Sequence, residues 1–295
     1  MTASLLEKGT ANKTPAELED AIKSLGSSIS VSAGQFGVYI SGNTLARNFD
    51  ATVALVEEML LEPRWDSEEF SLLKRKLSND IDQSAANPNA VSVREAAKLR
   101  YPEGHIFSYG YYGPKDKLEA VTLDDLKAFY GENYTQHDAK LRIVGDVSPS
   151  KVKTAFAGIA EKWARPAPAP VTLAPANPVT ESKVYLYNVD AAKQSVLRIE
   201  RPALSAVDMD YPLAEAMNFM LGGIYTSKLN TELRVNKGYT YGIRSSFSGS
   251  KDRGTFSVRS SVRTNVTKES IALIRDILAN YGPEFTEGDL QVMKD

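Results

Sequence analysis

The apolar positions of this chain follow two periods, and the switches between them mark the elements. Residues 1–8 read as the tail of a helix closed by Gly9. Thr14-Pro15-Ala16-Glu17 is a capping box with proline at the first helical position. The stripe Leu18, Ile22 and Leu25 predicts a helix that stops at Gly26. Residues 28–40 then alternate (Ile29, Val31, Ala33; Phe36, Val38, Ile40) around Gly34-Gln35, which predicts a pair of hairpin strands. Phe49, Val53, Val56, Met59 and Leu60 predict a long amphipathic helix over 45–61, ending before Pro63. Asp66-Ser67-Glu68-Glu69 caps another, running to about Ala86 before Asn87-Pro88. Thr122-Leu123-Asp124-Asp125 opens a helix through Tyr130, residues 141–144 read as a short buried strand, and a helix starts after Ser148-Pro149.

The pattern breaks at 165–178, where Pro166, Pro168, Pro170, Pro175 and Pro178 fall together. Proline fixes φ and removes a backbone donor, so an extended, semi-rigid connector is expected. Beyond it, 184–188 and 195–199 read as strands, 211–221 as a helix ending at Gly222-Gly223, and 227–236 as a short helix ending at Gly238. Residues 239–248 and 255–262 alternate as strands, 271–278 is helical, and 289–295 reads as a helix barely begun. Interleaved helices and frequent hairpins argue for an α/β (α+β) fold with mixed or antiparallel sheets. The expected boundaries are a first domain over 1–164, a Pro/Ala-rich linker over 165–180 and a second domain over 181–295. A length of 295 residues suits two domains.

Composition narrows the chemistry. Lys+Arg 35 against Asp+Glu 37 gives a net charge of −2 and no electrostatic reason to expect nucleic acid or anionic lipid. No apolar run is long enough to span a membrane. No basic segment followed by an apolar stretch opens the chain, and both ends read as cut helices, so the start of the first domain and the end of the second are expected to be missing. With no cysteine there is no thiol nucleophile or thiolate metal site. The two histidines, His105 and His137, lie 32 positions apart (137 − 105), so no local two-histidine zinc motif exists. Both fall in polar segments and read as solvated loop residues. Asn12, Asn133 and Asn265 head glycosylation-like triplets common by chance, and Thr14 is better read as a helix cap.

One local constellation points to chemistry. Leu233 to Gly242 is a helix end, a glycine stop and a strand start. Folding back at Gly238 would bring the Arg234 guanidinium beside the Tyr241 phenol. Such a pair offers donors to a peptide carbonyl and to the oxyanion formed when it is attacked; one such donor is worth ~3–4 kcal/mol of transition-state stabilisation. The plainer alternative has Arg234 satisfying helix C-terminal carbonyls and Tyr241 packing with a wet hydroxyl.

Taken together, several segments resemble the insulinase/pitrilysin family of zinc metallopeptidases, in its two-domain processing-peptidase branch. They are Leu6-Glu7-Lys8-Gly9-Thr10, Leu25 to Ser30, Met59 to Pro63, Tyr112-Gly113, Val144-Gly145-Asp146, Leu221-Gly222-Gly223 and Leu233-Arg234 to Tyr241-Gly242. The resemblance implies two homologous α/β domains facing each other as a clamshell. It implies zinc on a His-x-x-Glu-His helix plus a distant Glu, and an Arg and a Tyr seven apart that hold substrate. The pair maps onto Arg234 and Tyr241 (241 − 234), with Tyr239 as the alternative tyrosine.

The zinc motif does not map. Its last two positions fall on Ala3 and Ser4, and the distant Glu falls near Asp80. Alanine neither polarises a water nor takes its proton, and a serine hydroxyl does not replace a neutral imidazole. The resemblance therefore implies a zinc-less subunit that pairs with a zinc-bearing homologue and helps to hold an extended peptide. The alternatives are a structural or peptide-binding subunit without a catalytic role, and an autonomous hydrolase with other chemistry. Members of this branch are commonly bacterial and exported, which implies the periplasm, with the cytoplasm as the alternative.

Overall fold

A computed structural model describes residues 1–34, 37–110, 112–251 and 253–294. The chain forms two compact units: Met1–Ile81 with Tyr112–Leu173, and Asp82–Tyr111 with Ala174–Asp295. The crossing at Leu173 to Ala174 lies inside the proline-rich run, which carries no regular secondary structure. This grouping differs from the sequence boundaries over 82–111, which clusters with the C-terminal half.

In the first unit, Thr14 caps the helix Pro15–Ser24 through the expected capping box, its side chain accepting from the Glu17 N–H. Strands β1 (Ser28–Ala33) and β2 (Val38–Asn43) pair antiparallel, Val31 opposite Ile40. Gln35 and Phe36 of the expected hairpin lie outside the described residues. The core joins Ala3 and Leu6 of the helix Thr2–Leu6 to Leu18, Val31, Tyr130, Tyr134 and, from the helix Phe49–Leu61, Leu55, Met59 and Leu60. Tyr130 donates its hydroxyl to the Leu60 carbonyl. Arg165, the first residue of the connector, stacks 4.5 Å from the Tyr130 ring centroid. Its Nη1 donates to the Tyr130 and Tyr134 carbonyls at 3.1 and 3.2 Å, so a cation closes the C-terminal end of the helix Leu123–Asn133.

A polar knot braces the same unit. Thr10, fully buried, donates to Glu58 Oε1 at 2.5 Å, and Lys13 donates to Oε2 at 2.6 Å. Burial pushes the Glu58 carboxyl up, but the Lys13 and Thr10 hydrogen bonds and the Lys13 charge outweigh it and hold the group below its ordinary range. A carboxyl lowered in the folded state contributes stability that is present above its unfolded pKa and lost as pH falls through the folded value. Chemical denaturation should therefore show stability falling below about pH 4.3, and Glu58→Gln should flatten that acid limb.

In the second unit β3 (Gln194–Ala203), β5 (Gly254–Arg263) and β4 (Thr240–Gly249) form an antiparallel sheet in the order β3-β5-β4. Its inner face (Leu197, Ile243, Val258, Val262) packs on Leu221, Leu229 and Leu233, and on Ile274 and Ile277 of the helix Thr267–Asn280. The helix Pro88–Arg100 packs against β3, where Arg198 Nε donates to Ser92 Oγ at 2.9 Å and Arg100 pairs with Glu200.

Several expectations are corrected. Asn87-Pro88, read as a stop, is also a start: Asn87 Oδ1 accepts from the Asn89 and Ala90 N–H groups and opens the helix Pro88–Arg100. Residues 141–144 and 184–188 are not strands. Leu141, Val144, Val184 and Leu186 are exposed, Val144 completely, and among the described residues no neighbouring strand takes their backbone groups. The last helix runs Glu287–Lys294, and Asp295 lies outside the described residues. No described helix is long and apolar enough to cross a membrane.

Candidate functional site

The helix Tyr211–Asn218 widens into a π-type turn over Phe219–Gly223, a short loop follows, and the helix Lys228–Asn230 widens likewise over Thr231–Asn236. Gly222 is required where the first of these meets β4: a Cβ there would lie 2.6 Å from the Ser245 backbone nitrogen. Leu229 and Leu233, both fully buried, pin the second helix to the sheet. Gly238, at φ +60°, reverses the chain, and Tyr239 N–H closes the helix on the Leu233 carbonyl at 2.8 Å.

The strand then bulges. Thr240 pairs with Val262 and Ile243 with Ser260, so two residues of β4 face one of β5. Thr240 Oγ1 donates to the Ser261 carbonyl at 2.7 Å and accepts from the Gly242 N–H at 3.1 Å, which fixes the distortion. Thr240 and Ile243 both point inward although three positions apart. The extra residue leaves Tyr241 outside at 88% exposure, with no hydrogen-bond partner for its hydroxyl among the described residues.

Among the described residues, no hydrogen bond or ring contact joins Arg234 to Tyr241. Its guanidinium lies over the ring of Tyr225, 4.6 Å from the centroid. A guanidinium held by its face keeps its edge N–H groups free for a planar acceptor such as a peptide carbonyl. Among the described residues they are not spent on helix carbonyls, as the plainer reading had it. Asn230 ties the two parts together. Buried at 3% exposure, it donates from Nδ2 to the Tyr225 carbonyl at 2.6 Å and accepts from the Ile243 N–H at 3.4 Å. Arg234 with Tyr225, and Tyr241 on its bulge, thus share one brace. Tyr239 is half-buried, its carbonyl taking the Arg263 N–H, and is less available than Tyr241. The sequence reading missed Tyr225 and Asn230. Asn230 stands four residues before Arg234 on the same helix face, which is a usable signal; Tyr225 left none. Asn230→Ala takes away the partner of the buried Ile243 N–H and of the Tyr225 carbonyl and should cost about 1–3 kcal/mol in urea unfolding.

The positions that resemble a zinc motif lie in the first unit and do not fit the metal. Ala3 is buried in the apolar cluster with Leu6, Leu18 and Met59. Ser4 is half-buried, and Asp80 is paired with Lys76 Nζ at 2.8 Å, one helical turn away. Among the described residues, no three His, Cys, Asp or Glu side chains gather. His137 is solvent-exposed beside Asp138, as expected. His105 is not the solvated residue expected: it is 8% exposed and stacked 4.7 Å from Tyr101. Its Nδ1 accepts from the Phe107 N–H at 3.1 Å, so Nε2 carries the proton and donates to the Ala174 carbonyl, also at 3.1 Å. It is a structural histidine.

A family model described as the peptidase M16 inactive domain matches residues 120–295. An uncharacterized zinc protease of Streptomyces coelicolor is 23% identical over 280 residues, covering 93% of this chain and 60% of that protein. One of Bacillus subtilis is 20% identical over 273 residues, covering 92% and 65%. The chain thus spans less than two thirds of the length of these relatives. The solved peptidase M16 inactive domain from Pseudomonas fluorescens superposes with a TM-score of 0.88 at 22% identity, over 99% of this chain and 71% of that one. A protease from Helicobacter pylori gives 0.82 at 19%, over 99% and 71%. The mixed α/β architecture is therefore that of the M16 inactive-domain structures.

Proposed function

Because the chain belongs to the peptidase M16 family, its match being to the inactive domain, we propose that it is the non-catalytic subunit of a two-chain zinc endopeptidase. A zinc-bearing homologue supplies the metal and activates water. This chain supplies Arg234 and Tyr241 to grip the backbone of an extended peptide, and half of the chamber around it. The observation that carries the reading is the half-buried Arg234 stacked on Tyr225 and the exposed Tyr241, both braced by buried Asn230; the resemblance that puts Ala3 and Ser4 at zinc-motif positions supports it. The relatives are bacterial, and an exported, periplasmic setting suits the Ala/Pro-rich connector. A purely structural subunit has no use for unspent guanidinium edges and a phenol turned out on a fixed bulge, which favours the catalytic partnership.

Zinc content tests the assignment. Purified and dialysed against zinc, the chain should hold far less than one equivalent, while its complex with the zinc-bearing homologue holds one per homologue. Stoichiometric zinc on the isolated chain, with peptide cleavage, would overturn it.

A further inference from the structure

The outer face of the β3-β5-β4 sheet is crowded with one kind of charge. In register, Arg198 of β3 lies opposite Arg259 of β5, and Arg259 opposite Arg244 of β4, so three arginines stand in one row across the sheet. Arg263 shares this face two pairs along β5. The three ten-residue strands hold five arginines (198, 201, 244, 259, 263) and one acid, Glu200.

Glu200 is already committed. It binds Arg198 Nη1 at 2.9 Å and Arg100 of the neighbouring helix, and Arg259 Nη2 reaches it only at 3.9 Å. Burial and the charges of Arg198 and Arg100 both lower the Arg259 pKa, against the pull of Glu200. Arg244 is exposed and has no partner among the described residues. Like charges directly opposite on adjacent strands are destabilising, so this row works against the sheet that carries it. Serine surrounds it: Ser246 and Ser257 face each other at 3.3 Å between Oγ atoms, with Ser261 beyond. Ser257 and Arg198 are largely covered, whereas Arg244 and Arg259 stay exposed, their guanidinium forks open to an approaching carboxylate.

We propose that this face recognises acidic side chains of the peptide that the protein holds, Arg244 and Arg259 taking Asp or Glu residues of an extended segment. The proposal rests on the peptide-holding reading above and names its substrate class. It places the charge preference on the sheet's outer face, separate from the backbone grip of Arg234 and Tyr241.

Fluorescence anisotropy on the full chain tests it, with three labelled peptides of equal length: Glu-rich, Ser/Gln-rich and Lys-rich. The Glu-rich peptide should bind best, and added salt should weaken it. The double variant Arg244→Ser/Arg259→Ser should weaken it about tenfold. Arg275→Ser, which removes one charge from the exposed side of the helix on the sheet's inner face, should not. Equal binding of all three peptides, or a double variant that binds the Glu-rich peptide like the wild type, overturns the acidic preference. The peptide-holding reading survives that outcome, since it stands or falls on cleavage by the reconstituted complex. Preference for the Lys-rich peptide overturns the proposal outright. Circular dichroism on the double variant separates lost binding from lost fold.

Discussion

In a complex of this chain with its zinc-bearing homologue, Arg234→Ala should lower kcat for peptide cleavage about 10²- to 10³-fold. The size follows from what the guanidinium does. In the proposed role, its stacking on Tyr225 would fix the N–H donors before the peptide arrives, and donors fixed in advance are the ones that stabilise a developing oxyanion. Tyr241→Phe removes one phenolic donor and leaves the bulge, held by Thr240 and Ser260, intact; a smaller loss in kcat is expected. Tyr225→Ala keeps the charge and frees the side chain that carries it, so its loss should fall between wild type and Arg234→Ala. Steady-state kinetics on the complex reads all three. If it cleaves peptide and both Arg234→Ala and Tyr241→Phe leave the rate unchanged, the site is misassigned.

The largest stability effect is expected one residue earlier. Leu233 is completely buried, in contact with the cluster of Leu197, Ile243, Val258 and Ile274, and holds the Arg234 helix on the sheet. Leu233→Ala removes apolar burial and opens a cavity in the second unit, which should cost about 2–5 kcal/mol. Val235→Ala, two positions on and exposed, should stay within about 0.5 kcal/mol. Urea midpoints at constant m-value distinguish the two.

Which parts were legible in the sequence follows from where the governing forces act. Capping boxes at Thr14 and Thr122 are local devices, and both stand where the residues placed them. The β1-β2 hairpin and the β4-β5 pair were legible because alternation and glycine turns act within a dozen residues. Residues 141–144 and 184–188 carry the same apolar signature and are not strands, because a strand also needs a neighbour for its backbone groups, and alternation says nothing of that neighbour. Asn87-Pro88 was ambiguous for a physical reason: the pair ends one helix as readily as it caps the next.

At the site, the turn at Gly238 was legible, but the side-by-side placing of Arg234 and Tyr241 expected from it is not what forms: Arg234 lies over Tyr225 instead. Their environment was not legible. The bulge that turns Tyr241 outward depends on a register shift against Ser260 and Val262, although Gly242 inside a strand pattern hinted at it. The stacking of Arg234 on Tyr225 and the brace through Asn230 arise from how two widened helices fold back on the sheet. His105 misled for a similar reason, since a polar stretch of sequence conceals the Tyr101 and Phe107 rings that cover it.

The proposed division of labour puts the metal on another chain and the carbonyl grip on this one. It is tested most directly by cleavage of an extended peptide by the zinc-bearing homologue alone, by this full chain alone, and by the two mixed. Little activity is expected from either alone, and zinc-dependent cleavage from the mixture. Zinc-dependent cleavage by this chain alone, or an equal rate from the homologue with and without it, would contradict the account.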